Sequence, residues 1–202
     1  MKAKKLAAIG FGIILLSSFS CKKKEPKLTQ GAGVSGSKNE PGWVARCAGA
    51  FPDAGKRAFY GCGAVSGIEN EALRLQTADA RARGDLEKAI EAYVAGFFKD
   101  FMKSPAVSGK KDMTVLEESQ LVETLSREIT EITLYGVQIT DRWTGPDQTL
   151  YSLARVSFDI LAQAMSKQIA ERSGEFKMEA NEAMEELDRQ LEKRRESGLY
   201  RD

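Results

Sequence analysis

Between Leu75 and Phe97, apolar residues return every three or four positions, at Leu75, Ala78, Ala82, Leu86, Ala89, Tyr93 and Phe97. That spacing places them on one face of an α-helix. Ile90, Val94, Phe98 and Phe101 widen the face toward its C-terminal end. The pattern predicts a single helix over residues 68–102, ended by Ser104-Pro105, with Gly84 a place to bend at a cost of about 1 kcal/mol relative to Ala. A helix with so long an apolar face needs other elements packed over it.

Those elements are legible on either side. Residues 59–66 (FYGCGAVS) combine aromatic and small residues and read as a strand. Residues 116–132 repeat apolar positions at Leu121, Val122, Leu125, Ile129 and Ile132, a second helix. Residues 134–143 alternate, Gly145-Pro146-Asp147 is a turn signal, and residues 150–158 alternate again, so the stretch predicts an antiparallel hairpin. Residues 159–172 and 175–195 read as two further helices. The order strand, helix, helix, strand, strand, helix predicts an α+β fold, a small antiparallel sheet packed on long helices, with a C-terminal helical extension.

The N-terminus has a different character. Lys2, Lys4 and Lys5 precede an apolar run from Leu6 to Leu16, and small residues then lead to Cys21. A positive end, a short apolar core and a small-residue cleavage site describe a secretory signal over residues 1–20. The run is shorter than the roughly 20 apolar residues a spanning helix requires. A cysteine directly after the cut can carry a diacylglycerol, so the segment resembles a lipobox, with Ser20 before the cut. Ser18 stands where Leu is usual, and Phe19 is bulkier than the common residue. Residues 21–41, with Lys22, Lys23, Lys24, Lys27 and Lys38 among glycines and small polar residues, predict a flexible tether. Position 22 is Lys rather than the Asp that retains many lipoproteins at the inner membrane. The expected location is therefore the outer membrane, facing the periplasm, with the lipid anchor as the membrane contact.

Charge narrows the function classes. The chain holds 30 basic and 29 acidic residues, and removal of the basic leader and tether leaves residues 42–202 near −5. A basic face for nucleic acid is not expected. The chain has no histidine, which removes the usual general base near neutral pH and the commonest metal ligand. Neither an enzyme nor a cofactor or metal site is expected.

With Cys21 lipidated, Cys47 and Cys62 remain as an even pair. In an oxidising compartment such a pair tends to bond, and a loop of 15 residues would be worth about 3 kcal/mol. The alternative is two buried thiols that never meet. Two thiols without His are too few for a zinc site.

Several short motifs recur in a particular order: Pro41-Gly42-Trp43-Val44, the strand Tyr60-Gly61-Cys62-Gly63-Ala64, the Ala-rich helix TADARARGDLEKAI at 77–90, Tyr135-Gly136-Val137 with Asp141-Arg142-Trp143, and Leu150-Tyr151-Ser152-Leu153-Ala154. Over residues 41–169 the chain resembles the LPP-twenty lipoprotein family of twenty-kilodalton outer-membrane lipoproteins. The resemblance implies a small lipid-anchored α+β domain, and some members belong to flagellar basal disks or rings. Gly84 within the Ala-rich helix and the C-terminal extension depart from the family pattern.

Other candidate sites have structural readings beside them. Gly61, Gly63 and Gly67 lie between a strand and a helix, but GxGxxxG is not the dinucleotide fingerprint; the expectation is close helix–strand packing. Glu117-Glu118 and Glu185-Glu186 are neighbours that point apart on a helix and read as solvated surface. Trp43 and Trp143 read as anchors of a small core rather than a sugar platform. A serine nucleophile has no His partner.

The chain thus divides into residues 1–20, 21–41, a domain at 42–172, and a charged amphipathic helix at 173–202. In that helix Phe176, Ala180, Ala183, Leu187 and Leu191 form a narrow stripe, with Met184 beside it. Phe176, Met184, Leu187 and Leu191 are expected to face a protein partner or a second copy; the alternative is that the helix folds back on its own domain. The function expected is a non-catalytic envelope lipoprotein with a structural or assembly role. The alternative is a periplasmic module binding a glycan, peptide or lipid. An exposed sheet edge favours the first, and a large concave apolar pocket the second.

Overall fold

The computed structural model describes residues 39–109 and 113–197. Leader, Cys21 and most of the tether lie outside the described residues. The element order is α1 (Gly42–Arg46), a 3-10 turn (Cys47–Ala50), β1 (Ala58–Val65), α2 (Glu71–Lys103), α3 (Pro105–Ser108), α4 (Val115–Leu134), β2 (Gln138–Thr144), β3 (Leu150–Ser157), α5 (Phe158–Glu171), a 3-10 turn (Ser173–Phe176) and α6 (Ala180–Ser197). The expected α+β class holds. The sheet is antiparallel, in the order β1-β3-β2.

At 33 residues, α2 is about 50 Å long and reaches past the sheet. Asn70 caps it by accepting the Leu73 N–H at 3.0 Å. Pro105 disfavours helical backbone at Ser104, and the helix stops there. Gly84 does not interrupt it. Its N-terminal half presents the small residues Ala78 and Ala82 to β1. A Cβ on Gly61 would stand 2.5 Å from the Ala82 carbonyl oxygen, and one on Gly63 would collide with the Ala78 carbonyl. Only glycine lets the two backbones approach this closely. The C-terminal half presents Phe97, Phe98, Phe101 and Met102, all fully buried among α4, α5 and α6.

The strand alternation assigns the faces. Phe59, Val65, Leu150, Ala154 and Val156 face the helices. Tyr60 and Leu153 face the other way, where α1 and the 3-10 turn after it cover them with Trp43. β1 and β3 are thus covered on both faces, by helices and by an N-terminal cover.

Boundaries differ from expectation at two places. Residues 134–137 close α4 and form a turn, in which the Gly136 and Val137 N–H groups donate to the Thr133 and Leu134 carbonyls; β2 begins only at Gln138. A side chain at Gly136 would strike Ile160 of α5, so the turn is fixed by packing that is remote in sequence.

The second difference corrects the partner-facing stripe. Phe176, Leu187 and Leu191 are buried in the domain's own core, and Met184 packs against it. Residues 173–202 are therefore not an extension beyond a domain ending at 172, since the described part completes the core. The stripe also loses its first step. Lys177 takes left-handed backbone at φ 52°, the helix starts anew at Ala180, and Ala180 is exposed. Phe176 instead meets Phe101 edge to face at 5.4 Å. Arg194 locks the far end. Its guanidinium lies 5.3 Å from the ring centres of both Tyr93 and Phe97 and donates to Asp100 at 2.5 Å. Packing of this kind uses a charged residue as part of the buried surface, which a count of apolar positions misses.

Candidate functional site

The cover and the strand edge beneath it are built around the two cysteines. Cys47 and Cys62 are bonded, with a Cα–Cα distance of 5.8 Å. Around the bridge, the Trp43 indole N–H donates to Asp141 Oδ2 at 2.8 Å, linking the cover to β2. Phe51 stacks on Tyr60 with ring centres 3.9 Å apart. The Tyr60 hydroxyl donates to the Asp53 carboxylate at 3.1 Å. Trp43 is buried and Trp143 half-buried against Tyr151, so both serve the small core.

The outer edge of β1 is closed by α2. The Cys62 N–H donates to Asp85 Oδ2 at 2.9 Å, and Arg81 donates to the Ala64 carbonyl at 2.5 Å. Among the described residues, the β2 edge has no such helix over it. Five of its seven residues are exposed, so it is the sheet's open edge. A register shift between Ile139 and Asp141 and the charges of Asp141 and Arg142 blunt it against indiscriminate pairing.

A cleft of about 490 Å³ opens where β1 begins and β3 ends, lined by Lys56, Arg57, Arg155 and Arg195 together with Asp53, Ser157, Phe158 and Asp159. The register explains the gathering. Ala58 lies opposite Ser157 and Tyr60 opposite Arg155, while the Phe158 N–H donates to the Arg57 carbonyl at 2.8 Å. The Asp53 carbonyl accepts the N–H groups of Lys56, Arg57 and Ala58, a tight turn that presents both cations. Arg155 is half-buried, 5.9 Å from the Tyr60 ring centre; Arg195 stands 4.7 Å from that of Phe158. These residues come from three separate stretches of the chain, and no sequence motif joins them.

The perturbed titratable groups lie elsewhere and are spent on structure. Arg142, hydrogen-bonded to Asp79, holds that carboxyl below its ordinary value of 3.8, against the opposing effect of burial; Ser152 adds to the lowering. Thr114 lowers the Glu117 carboxyl through a capping box. Thr149 does the same for Asp147 in the hairpin loop. Burial raises the Tyr93 hydroxyl.

The acidic pairs separate. Glu117 caps α4. Glu185 is exposed, whereas Glu186 is fully buried, contrary to the solvated surface expected for it. It accepts from Gln190 at 2.7 Å and pairs with Arg189. Gly61 and Gly63 serve close packing, and Gly67, at φ 73°, makes the turn after β1. No cluster of metal-ligating side chains occurs among the described residues, and no helix among them is long and apolar enough to cross a membrane. A scan of protein-family models finds no match to this chain, and a search of characterised proteins also finds none.

Proposed function

We propose that this chain is a lipid-anchored, non-catalytic domain of a bacterial envelope, cut before Cys21, tethered at the outer membrane and facing the periplasm, with a structural or assembly role. The observation that carries the reading is the Cys47–Cys62 bridge, which suits an oxidising compartment outside the cytoplasm. The leader and its cysteine supply the anchor, as in the lipoproteins the chain resembles. The open β2 edge supports assembly, because an unpaired strand can receive a strand from another chain. The absence of histidine and the use of shifted carboxylates as caps and clamps support a non-catalytic role. Growth with an alkynyl fatty acid, followed by fractionation, tests the anchor. The wild-type chain labels and pellets with membranes, and Cys21→Ser does neither. A Cys21→Ser chain that still labels and pellets overturns the reading.

A ligand-binding module is the second reading, favoured by the open cleft between β1 and α5. Its lining is charged rather than apolar, which points away from a greasy ligand.

A further inference from the structure

We propose that the cleft lined by Lys56, Arg57, Arg155 and Arg195 binds a phosphate group. The proposal concerns the cleft alone and does not depend on lipidation at Cys21.

Residues 42–202 carry a net charge near −5, yet this one cleft gathers four cations against two carboxylates. One of those carboxylates, Asp53, already accepts the Tyr60 hydroxyl. Among the described residues, neither Lys56, Arg57 nor Arg155 has a carboxylate within ion-pair distance. Arg195 has one, Glu192, at 4.0 Å on the solvent side, a contact worth little. Elsewhere three arginines are closely paired, Arg142 with Asp79, Arg172 with Glu128 and Arg194 with Asp100, while Arg81 and Arg83 donate to backbone carbonyls. Leaving like charges together without counter-charge costs free energy, and a bound anion removes that cost.

The guanidinium groups of Arg155 and Arg195 lie over aromatic rings, which restrain them while leaving N–H groups available. A restrained guanidinium suits two-point binding of an oxyanion. A single carboxylate offers two oxygens and one charge. A phosphate offers up to three terminal oxygens and close to two charges, so Lys56, Arg57 and Arg155 can each take an oxygen. At about 490 Å³ the cleft falls in the size range of small-molecule sites, so there is room for what the phosphate is attached to. Both a soluble phosphate and a lipid headgroup that ends in a phosphate monoester, as in phosphatidic acid, carry this chemistry.

The test uses the full chain in neutral detergent micelles. Titration calorimetry follows inorganic phosphate, and in a second arm phosphatidic acid mixed into the micelles. Three proteins are compared: wild type, Lys56→Gln/Arg57→Gln, and the control Lys88→Gln/Lys99→Gln, which removes the same charge from exposed positions on α2. Lys56 and Arg57 are exposed, so their loss leaves the fold intact, which far-ultraviolet circular dichroism checks. Expected is binding by wild type and control, weakened at least tenfold in Lys56→Gln/Arg57→Gln. Binding of inorganic phosphate assigns a soluble ligand; binding of phosphatidic acid alone assigns the headgroup. Equal affinity in all three proteins, equal loss in both variants, or no binding in either arm overturns the proposal.

Discussion

Arg142 on β2 grips Asp79 on α2 with two hydrogen bonds, Nε to Oδ1 at 2.9 Å and Nη2 to Oδ2 at 2.6 Å. Ser152 on β3 donates to the same Oδ1 at 2.7 Å, so one carboxylate ties the long helix to two strands. Asp79→Asn is expected to cost about 1 to 2 kcal/mol; charged hydrogen bonds are lost, but Arg142, partly exposed, regains water. Chemical denaturation at pH 7 measures it.

The same pair sets a pH dependence. Asp79 has a lowered carboxyl in the folded state, so the unfolded chain binds its proton first as pH falls. Its contribution is complete above about pH 4 to 5 and is lost as pH falls through the lowered native value. The stability difference between wild type and Asp79→Asn should therefore shrink between about pH 5 and pH 2, measured as denaturation midpoints. A difference that grows on acidification contradicts the assignment.

Replacement of Gly61 or Gly63 by Ala should be far more damaging than replacement of Gly84. At the first two a methyl group meets the backbone of α2, which cannot move aside as a side chain could. A loss of about 3 kcal/mol or more is expected for each. Gly84→Ala meets nothing within 4 Å and should stabilise α2 by about 0.5 to 1 kcal/mol. Thermal melting of the three variants gives the order.

Leu187→Asp places a carboxylate in the core, where Leu187 is fully buried. It should destabilise the chain by about 3 kcal/mol or more. Light scattering of the folded fraction should give the wild-type mass. Loss of mass with unchanged melting would return α6 to a partner-binding role.

Cys47→Ser/Cys62→Ser should cost about 3 kcal/mol through the 15-residue loop it opens. Trp43, which reports on the cover, should unfold at lower denaturant than the helical core reports by circular dichroism.

The hairpin and the helices were legible because alternation in 150–158 and three-four spacing in α2 and α4 each point one way. The cover was not, because Gly42–Arg46 and Cys47–Ala50 are too short for any period to register. The end of α4 escaped because Val137 and Ile139 sit two apart, as in a strand, while Leu134 and Val137 sit three apart, as in a helix, and Ile160 decides between the two from another element. Burial of α6 was hidden by its charge, since Arg194 and Glu186 occupy positions that a hydropathy pattern scores as surface. Of the site residues, the cysteine pair was readable from parity and compartment. The basic cleft was not, because it exists only once Lys56 and Arg57 are set beside Arg155 and Arg195.

The disulfide also determines how the domain meets a mechanical load. A pull at Pro41 can strip away only the chain that precedes Cys47, a gain of roughly 20 Å at full extension. The loop from 48 to 61 is bypassed covalently and yields no length. Force then enters β1 at Cys62, in the middle of a strand paired with β3 along its eight residues, rather than peeling that strand from its end. Once α1 has given way, the next part of the fold to feel tension is therefore its most fully bonded ladder.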